Sequence, residues 1–368
     1  MIGFIKDKIS RIDPVIFVCT TLLSLISLIV LVGARDSEYA GMRTLIMQAA
    51  MTVLGMIFMV AVANIDFANV PNWFYVGLYG FSAVLLLMLL FVGENAGDNI
   101  GWIKVPVINI SVQPSEFVRA TFILTFARHL SAVGDEINHP KNIAALAIHA
   151  GATFGLLLIT GDLGMTLVYL GIALVMLFCA GLSKWYVLGG AGALTVAFPF
   201  LWDLLAEYQQ KRIIVGFNPD IDPLEWGRHQ IQSRGAIAGG GFFGRGLFDA
   251  GSYKNMYACV TDFFFSTYAE MFGLVGCLAL IGIYVVLVWR LIRLAADCSD
   301  RFSAFLLAGV IGMIVVQTVE NLGMCLCLLP VVGITLPFLS AGGSSVLSIY
   351  MIIGIAHSAA GNSRRSYR

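Results

Sequence analysis

Ten stretches of mostly apolar residues punctuate this chain. They run at approximately 15 to 34, 45 to 65, 73 to 93, 114 to 131, 142 to 159, 163 to 181, 185 to 205, 262 to 292, 302 to 329 and 338 to 360. A helix needs about 20 such residues to cross the hydrocarbon core of a bilayer. With 59% hydrophobic and 12% charged residues among 368, there is too little charge to coat a water-soluble globule. The reading is an all-α, polytopic integral membrane protein of about ten transmembrane helices, forming a single membrane domain over residues 1–368. The first stretch is too long for a signal-peptide core and is read as an uncleaved span. The formal net charge is zero, so a nucleic-acid partner is not expected.

Lys and Arg in the short connections set the orientation. Twelve (Lys6, Lys8, Arg11, Arg128, Lys141, Lys184, Arg290, Arg293, Arg301, Arg364, Arg365 and Arg368) fall on one side, against Arg35, Arg43 and Lys104 on the other, with Arg119 just inside the fourth span. Both termini are therefore expected in the cytoplasm, and the one long connection, residues 206–261, outside. Long loops translocate largely regardless of their own charge. This one has apolar residues to bury, Trp226, Ile231, Phe242 and Phe248 among them, so it should be ordered. Residues 228–237 read as a short amphipathic helix on the membrane surface, and Gly239 to Gly246 as a backbone that lets a ligand approach closely.

Seven Cys without a CxxC pair and five scattered His give no disulfide framework and no metal-ligand spacing. Polar groups within the spans carry more information, because a charge at mid-bilayer costs about 2.5–3.5 kcal/mol and usually faces the bundle interior or a wet cavity. Asp262, Ser266, Ala269, Glu270 and Gly273 share one helical face, with Asp262 at its outer mouth. Glu116 and Arg119, three residues apart at a helix start, can pair. Asp162 lies in a tight connection, where capping a helix is the plainer alternative. Glu320, Asn321 and His149 lie deep in spans, where interior hydrogen bonding would explain them.

Five segments occur in a telling order: Gln113-Pro114-Ser115-Glu116, Gly161-Asp162-Leu163-Gly164, Thr261-Asp262-Phe263, Asn321-Leu322-Gly323-Met324 and Leu336 to Ser345. Together they resemble the SEDS family (shape, elongation, division and sporulation) of peptidoglycan glycosyltransferases, with Ile12-Asp13-Pro14 more RodA-like than FtsW-like. The resemblance implies polymerisation of lipid II at the outer face of the bacterial cytoplasmic membrane, beside a class B penicillin-binding protein. It puts the key carboxylate at Asp262 and substrate-binding groups at Glu116, Arg119, Asp162, Asn321 and Ser344. The sequence departs from the family pattern with Val260 for His, Arg119 for Lys, Gly161 for Pro and Ala341 for Tyr.

Glycosyl transfer from a lipid diphosphate needs a base at the acceptor hydroxyl and positive charge at the leaving diphosphate. Asp262, expected wet enough to stay ionised, supplies the first. Loop arginines such as Arg212 and Arg245, Arg119, or a divalent cation (Mg or Mn) held by carboxylates supply the second. A single base predicts inversion at the sugar carbon. The competing classes are a lipid-precursor flippase and a non-catalytic scaffold of the cell-wall machinery. The charges cluster towards one side and the chain lacks matched broken helices in its two halves, which favours surface chemistry over passage.

Overall fold

The computed structural model describes residues 12–37, 40–96, 99–105, 110–205 and 207–366. Lys6, Lys8, Arg11 and Arg368 of the orientation count lie outside them. Helices stand at all ten expected places: α1 Pro14–Gly33, α2 Met42–Ala63, α3 Asn72–Val92, α4 Pro114–Val133, α5 Pro140–Ile159, α6 Leu163–Cys179, α7 Lys184–Leu204, α10 Phe264–Ala296, α11 Arg301–Cys325 and α12 Gly343–Ser366. Between α7 and α10 come two further helices, α8 Glu207–Phe217 and α9 Arg228–Gly240. Seven of the described helices are long and apolar enough to cross a membrane.

Local chemistry sets the starts. Pro at the first turn fixes a helical φ where the missing N–H is not needed, and it opens α1, α4 and α5. The Asp13 carboxylate caps α1 by accepting from the Val15 and Ile16 amides, and Asp300 caps α11 through Ser303. Burial then sorts the helices. α11 and α12 form the centre, α11 against α6, α4 and α10, and α12 against α2. α7 stands at the periphery, with no buried residue among those described.

Hydrogen bonds between connections define two ends of the bundle. At one end Arg290 at the close of α10 grips Asp13 through three bonds of 2.6–3.1 Å, and the Asp13 amide donates to His357 Nδ1 of α12. Asp135 and Arg301 pair at the same end. The described start and finish of the chain therefore lie together, as an even number of crossings requires. At the opposite end, the 205–263 segment meets α1 where Tyr253 Oη donates to the Gly33 carbonyl.

Two features depart from the sequence reading. The α3–α4 connection forms a small antiparallel sheet in the order β1-β2-β3: β1 Glu94–Ala96, β2 Asn99–Val105 and β3 Ile110–Val112, with Ile103 opposite Val112. Its brief alternation of apolar and polar residues is overshadowed by the long runs on either side. α10 is also broken at Gly273 (φ 64°, ψ −167°), and Gly239 to Gly246 docks into the break. The amides of Arg245 and Gly246 donate to the Glu270 and Met271 carbonyls, while those of Leu274 and Val275 donate to Gly241 and Phe242. The close approach that these glycines allow is to another backbone. A Cβ on Gly273 would stand 2.3 Å from the Gly244 nitrogen.

Candidate functional site

Asp262 closes a tight turn just before α10. Ala258 turns the chain at φ 58°, and both Thr261 and Phe263 donate their amides to its carbonyl. Positive φ at a non-glycine residue is costly and persists only where surrounding contacts enforce it. Here those contacts come residue by residue. Thr267 Oγ1 holds the Cys259 carbonyl at 2.7 Å, the Ala341 amide holds Val260 at 2.8 Å, Ser340 Oγ holds Thr261 at 2.5 Å, and Asn321 Nδ2 holds Asp262 at 2.7 Å. The second amide proton of Asn321 goes to the Ile334 carbonyl at 2.7 Å.

The segment that supplies these clamps is itself braced. Gln48 of α2 accepts from the Gly342 amide and donates to the Ser340 carbonyl, Ser27 of α1 donates to Leu339, and Tyr284 of α10 donates to Pro337. The connection from 326 to 342, with the first turn of α12 through Ser345, thus forms a strap tied from three helices that fixes the turn ending in Asp262. Gly333 (φ 70°) lies so near that a Cβ there would sit 3.5 Å from Asp262 Oδ2.

The carboxylate is partly exposed as a residue but crowded by protein. Burial raises its pKa from 3.8 to about 6, against the lowering influence of the Thr261 hydroxyl and the Arg212 guanidinium. The expectation of a well-hydrated carboxylate is corrected to this extent, because the strap removes much of its water. A pKa just below neutrality suits a general base, which must be ionised yet hold a proton usefully.

Arg212 of α8 is near enough to act on Asp262 electrostatically and also borders a cavity of about 460 Å³. The cavity is an open cleft lined by Val215 and Gly216 on α8, Glu225 and Trp226 in the turn, His229 and Gln230 on α9, and Val331 on the strap side. Sequence reasoning did not single out Glu225 or His229, and read Trp226 only as apolar surface to bury. Their signal was faint: one Trp and one His in a loop of mixed composition. α9 does form where a short amphipathic helix was expected, but Gln230, Ser233, Ala236 and Gly240 bury its inner face against α10 and the strap.

The remaining predicted residues gather elsewhere. Glu116 and Arg119 pair at 2.5 Å, both buried, in a layer with Asp162 and Tyr169. Arg119 Nε and Nη1, Ser115 Oγ and both polar atoms of Gln317 are buried there or in the adjoining helices without a hydrogen-bond partner. Asp162 is buried and uses both oxygens, accepting from the Met165 amide at 3.0 Å and from Gln113 Nε2 at 3.2 Å. Burial pushes its carboxyl pKa up, these two bonds lower it, and Glu116 raises it again. Ser344 Oγ accepts from the Gln113 amide at 3.3 Å, and Ser345 Oγ meets Thr335 Oγ1 at 3.0 Å, so the strap joins this layer to the Asp262 turn.

Arg245 is held within its loop by the Gly239 carbonyl at 2.9 Å and by Glu270 at 3.6 Å. Glu270, fully buried as its helical face predicts, accepts from the amides of Gly251, Ser252 and Tyr253. The structure thus places Asp262, Arg212 and Asn321 together. Glu116, Arg119, Asp162 and Ser344 form a second, buried layer, and Arg245 stands with Glu270. Among the described residues no three His, Cys, Asp or Glu converge as metal ligands.

The match to a family model decides the relationship: the FtsW/RodA/SpoVE family, described as cell cycle protein, covers residues 11–365. This chain belongs to that family. It is 32% identical, over 88% of its length and 85% of the relative's, to the probable peptidoglycan glycosyltransferase FtsW of Trichlorobacter lovleyi. It is 31% identical to the peptidoglycan glycosyltransferase MrdB of Escherichia coli K12, over 96% and 94% of the two chains. Among solved structures, a chain of a peptidoglycan synthase complex that coordinates polymerization and crosslinking is similar with TM-score 0.80 and 29% identity, covering 94% of this chain and 98% of that one.

Proposed function

We propose that this protein is a peptidoglycan glycosyltransferase. It polymerises lipid II into glycan strands at the outer face of the bacterial cytoplasmic membrane, with both termini in the cytoplasm. The observation that carries the reading is the clamped turn presenting Asp262 within electrostatic reach of Arg212. Asp262 takes the proton from the acceptor hydroxyl, whose oxygen attacks the donor sugar carbon with inversion as the bond to diphosphate breaks. Arg212 stabilises the negative charge that develops on the departing diphosphate, where a fixed, partly desolvated charge acts more strongly than in water. Asn321 positions the base rather than touching substrate, since its amide protons are committed to two backbone carbonyls. Glu116, Arg119, Asp162 and Ser344 act through the strap, and Arg245 through Glu270. A divalent cation (Mg or Mn) shared by Asp262 and the substrate diphosphate is the second source of positive charge at the leaving group, and a chelator titration of the polymerisation reaction tests it.

The partner is a class B penicillin-binding protein supplying transpeptidation. Two similarities support that pairing: the kinship with peptidoglycan glycosyltransferases, and the likeness to a chain of a synthase complex in which polymerization and crosslinking are coordinated. The test is glycan product from purified protein and lipid II in detergent. Wild type should form polymer, and Asp262→Ala should insert normally yet form none. An Asp262→Ala enzyme that polymerises normally ends its assignment as base. A wild type inactive both alone and with its partner overturns the activity.

A further inference from the structure

The cavity bordered by Arg212 has a chemistry of its own, and Asp262 is not among its lining residues. Its volume of about 460 Å³ falls in the range of roughly 300–1,000 Å³ typical of small-ligand sites. Its walls are fixed: Gln230 Nε2 donates to the Gly216 carbonyl at 2.9 Å and to Leu329 at 3.3 Å, tying α8 and α9 to the strap. Gly216 lies so close to Pro330 that a Cβ would meet its Cα at 2.4 Å. The lining combines a half-buried aromatic, Trp226, with a carboxylate, Glu225, an imidazole, His229, and the guanidinium of Arg212. His229 is half-buried in this wall, with its Nδ1 shielded from solvent beside the Gln232 side chain.

A pyranose ring offers an apolar face of C–H groups and an edge of hydroxyl and amide groups. An aromatic wall with a few convergent polar groups is complementary to it. An isoprenoid tail asks for the opposite, a wall without polar groups. The protein has such a cavity elsewhere, about 250 Å³ between α5 and α6, lined by Leu146, Phe154 and Leu177 among other apolar residues.

We infer that the Trp226–His229 cavity is the saccharide subsite of the transferase. Trp226 covers one face of a lipid-linked sugar, and His229 and Glu225 bond its polar edge. Arg212, between cavity and base, holds the diphosphate. This rests on the glycosyltransferase reading.

The experiment compares polymerisation kinetics of wild type, Trp226→Ala, Trp226→Phe and Arg212→Ala with lipid II. A polyprenyl diphosphate without sugar serves as competing inhibitor. Truncating a Trp contact of this kind typically costs about 2 kcal/mol, or roughly thirtyfold. Trp226→Ala should therefore raise KM for lipid II about thirtyfold with kcat little changed, and Trp226→Phe should restore most of it. The sugar-free inhibitor should bind Trp226→Ala as tightly as wild type, and Arg212→Ala more weakly. An unchanged KM in Trp226→Ala overturns the subsite. So does equal weakening of the sugar-free inhibitor, which would make the cavity a lipid-diphosphate site. A Trp226→Phe variant that folds but recovers nothing assigns Trp226 to structure alone. If wild type makes no polymer, the glycosyltransferase reading fails instead, and lipid II binding to wild type and Trp226→Ala, followed by thermal shift, still decides the subsite.

Discussion

Replacing Asp262 by Asn removes a charge that the fold holds at a cost. The carboxyl pKa rises from 3.8 to about 6, and each unit corresponds to about 1.4 kcal/mol between protonation states. The full shift amounts to about 3 kcal/mol, and partial exposure of the residue trims this to about 1–2 kcal/mol. The sign follows from proton binding. Between pH 3.8 and about 6 the folded protein keeps a proton that the unfolded chain has released, so stability falls as pH rises through that window. Wild type should unfold at a lower temperature at pH 7.5 than at pH 5, and Asp262→Asn should lose much of that difference while being more stable at pH 7.5. Activity runs the other way. The wild-type kcat/KM should climb with pH to a plateau above about 6, and Asn, which cannot accept the proton, should cut kcat by about 10²–10⁴. Thermal unfolding in detergent at the two pH values, beside a pH–rate profile with lipid II, reads both effects. An Asn variant less stable than wild type at pH 7.5, or a wild-type rate flat through pH 6, refutes the reasoning.

Further outcomes follow from the same contacts. Asn321→Ala frees the Asp262 and Ile334 carbonyls from 2.7 Å bonds; kcat should drop at least tenfold with KM nearly unchanged, at a stability cost of about 1–3 kcal/mol, measured by kinetics and thermal unfolding. Gly273→Ala puts a Cβ 2.3 Å from the Gly244 nitrogen at φ 64°, so the 239–246 loop should undock and become open to limited proteolysis. Arg290→Gln weakens the grip on Asp13; the unfolding midpoint should fall by the equivalent of about 2 kcal/mol, with kcat/KM of the surviving protein preserved. Arg119→Lys should retain more polymerase activity than Arg119→Ala, because either cation can pair with buried Glu116 whereas Ala leaves that carboxylate uncompensated.

The helices were legible because hydropathy runs of about 20 residues leave few alternatives in a bilayer, and all ten appear, although the last starts at Gly343 because residues 338 to 342, expected to be helical, belong to the strap. Asp262, Glu270 and Asn321 stood out for the same reason: each is a polar group in a setting that penalises polarity. What the sequence could not display was which partner each group would find. Glu270 looked like a companion of Asp262 on a helical face, yet it binds three amides of the loop. The Gly239 to Gly246 run looked like a ligand cradle, yet it fills the break at Gly273. Both outcomes depend on contacts between segments separated in sequence, and periodicity along one helix carries no information about them. The cavity residues Glu225, Trp226 and His229 were hidden because they form a site only when α8, α9 and the strap meet.

The departures from the family pattern acquire a physical sense once the strap is seen. Val260 and Ala341, two of the four, are joined through their backbones, the Ala341 amide donating to the Val260 carbonyl at 2.8 Å. That bond is available to any residue with an N–H and a carbonyl, so changing both side chains leaves the Asp262 turn in register. Gly161 sits at φ 79° and donates its amide to Leu158, which proline could do neither by ring geometry nor for want of an N–H. The chain reaches the Asp162 cap here by a left-handed glycine. Gly164, directly after it, lets the Val332 carbonyl come to 2.3 Å of where a Cβ would be, seating α6 against the strap. Arg119 keeps the buried pair with Glu116 through Nη2 and leaves Nε and Nη1 without partners, a surplus that lysine would not have. Two of the four departures, Val260 and Ala341, thus leave the Asp262 turn in place, and a third, Gly161, keeps the Asp162 cap. The fourth, Arg119, adds donors in the buried layer, which is joined to α12 by the Gln113 amide donating to Ser344 Oγ and by Ser348 Oγ donating to the Glu116 carbonyl.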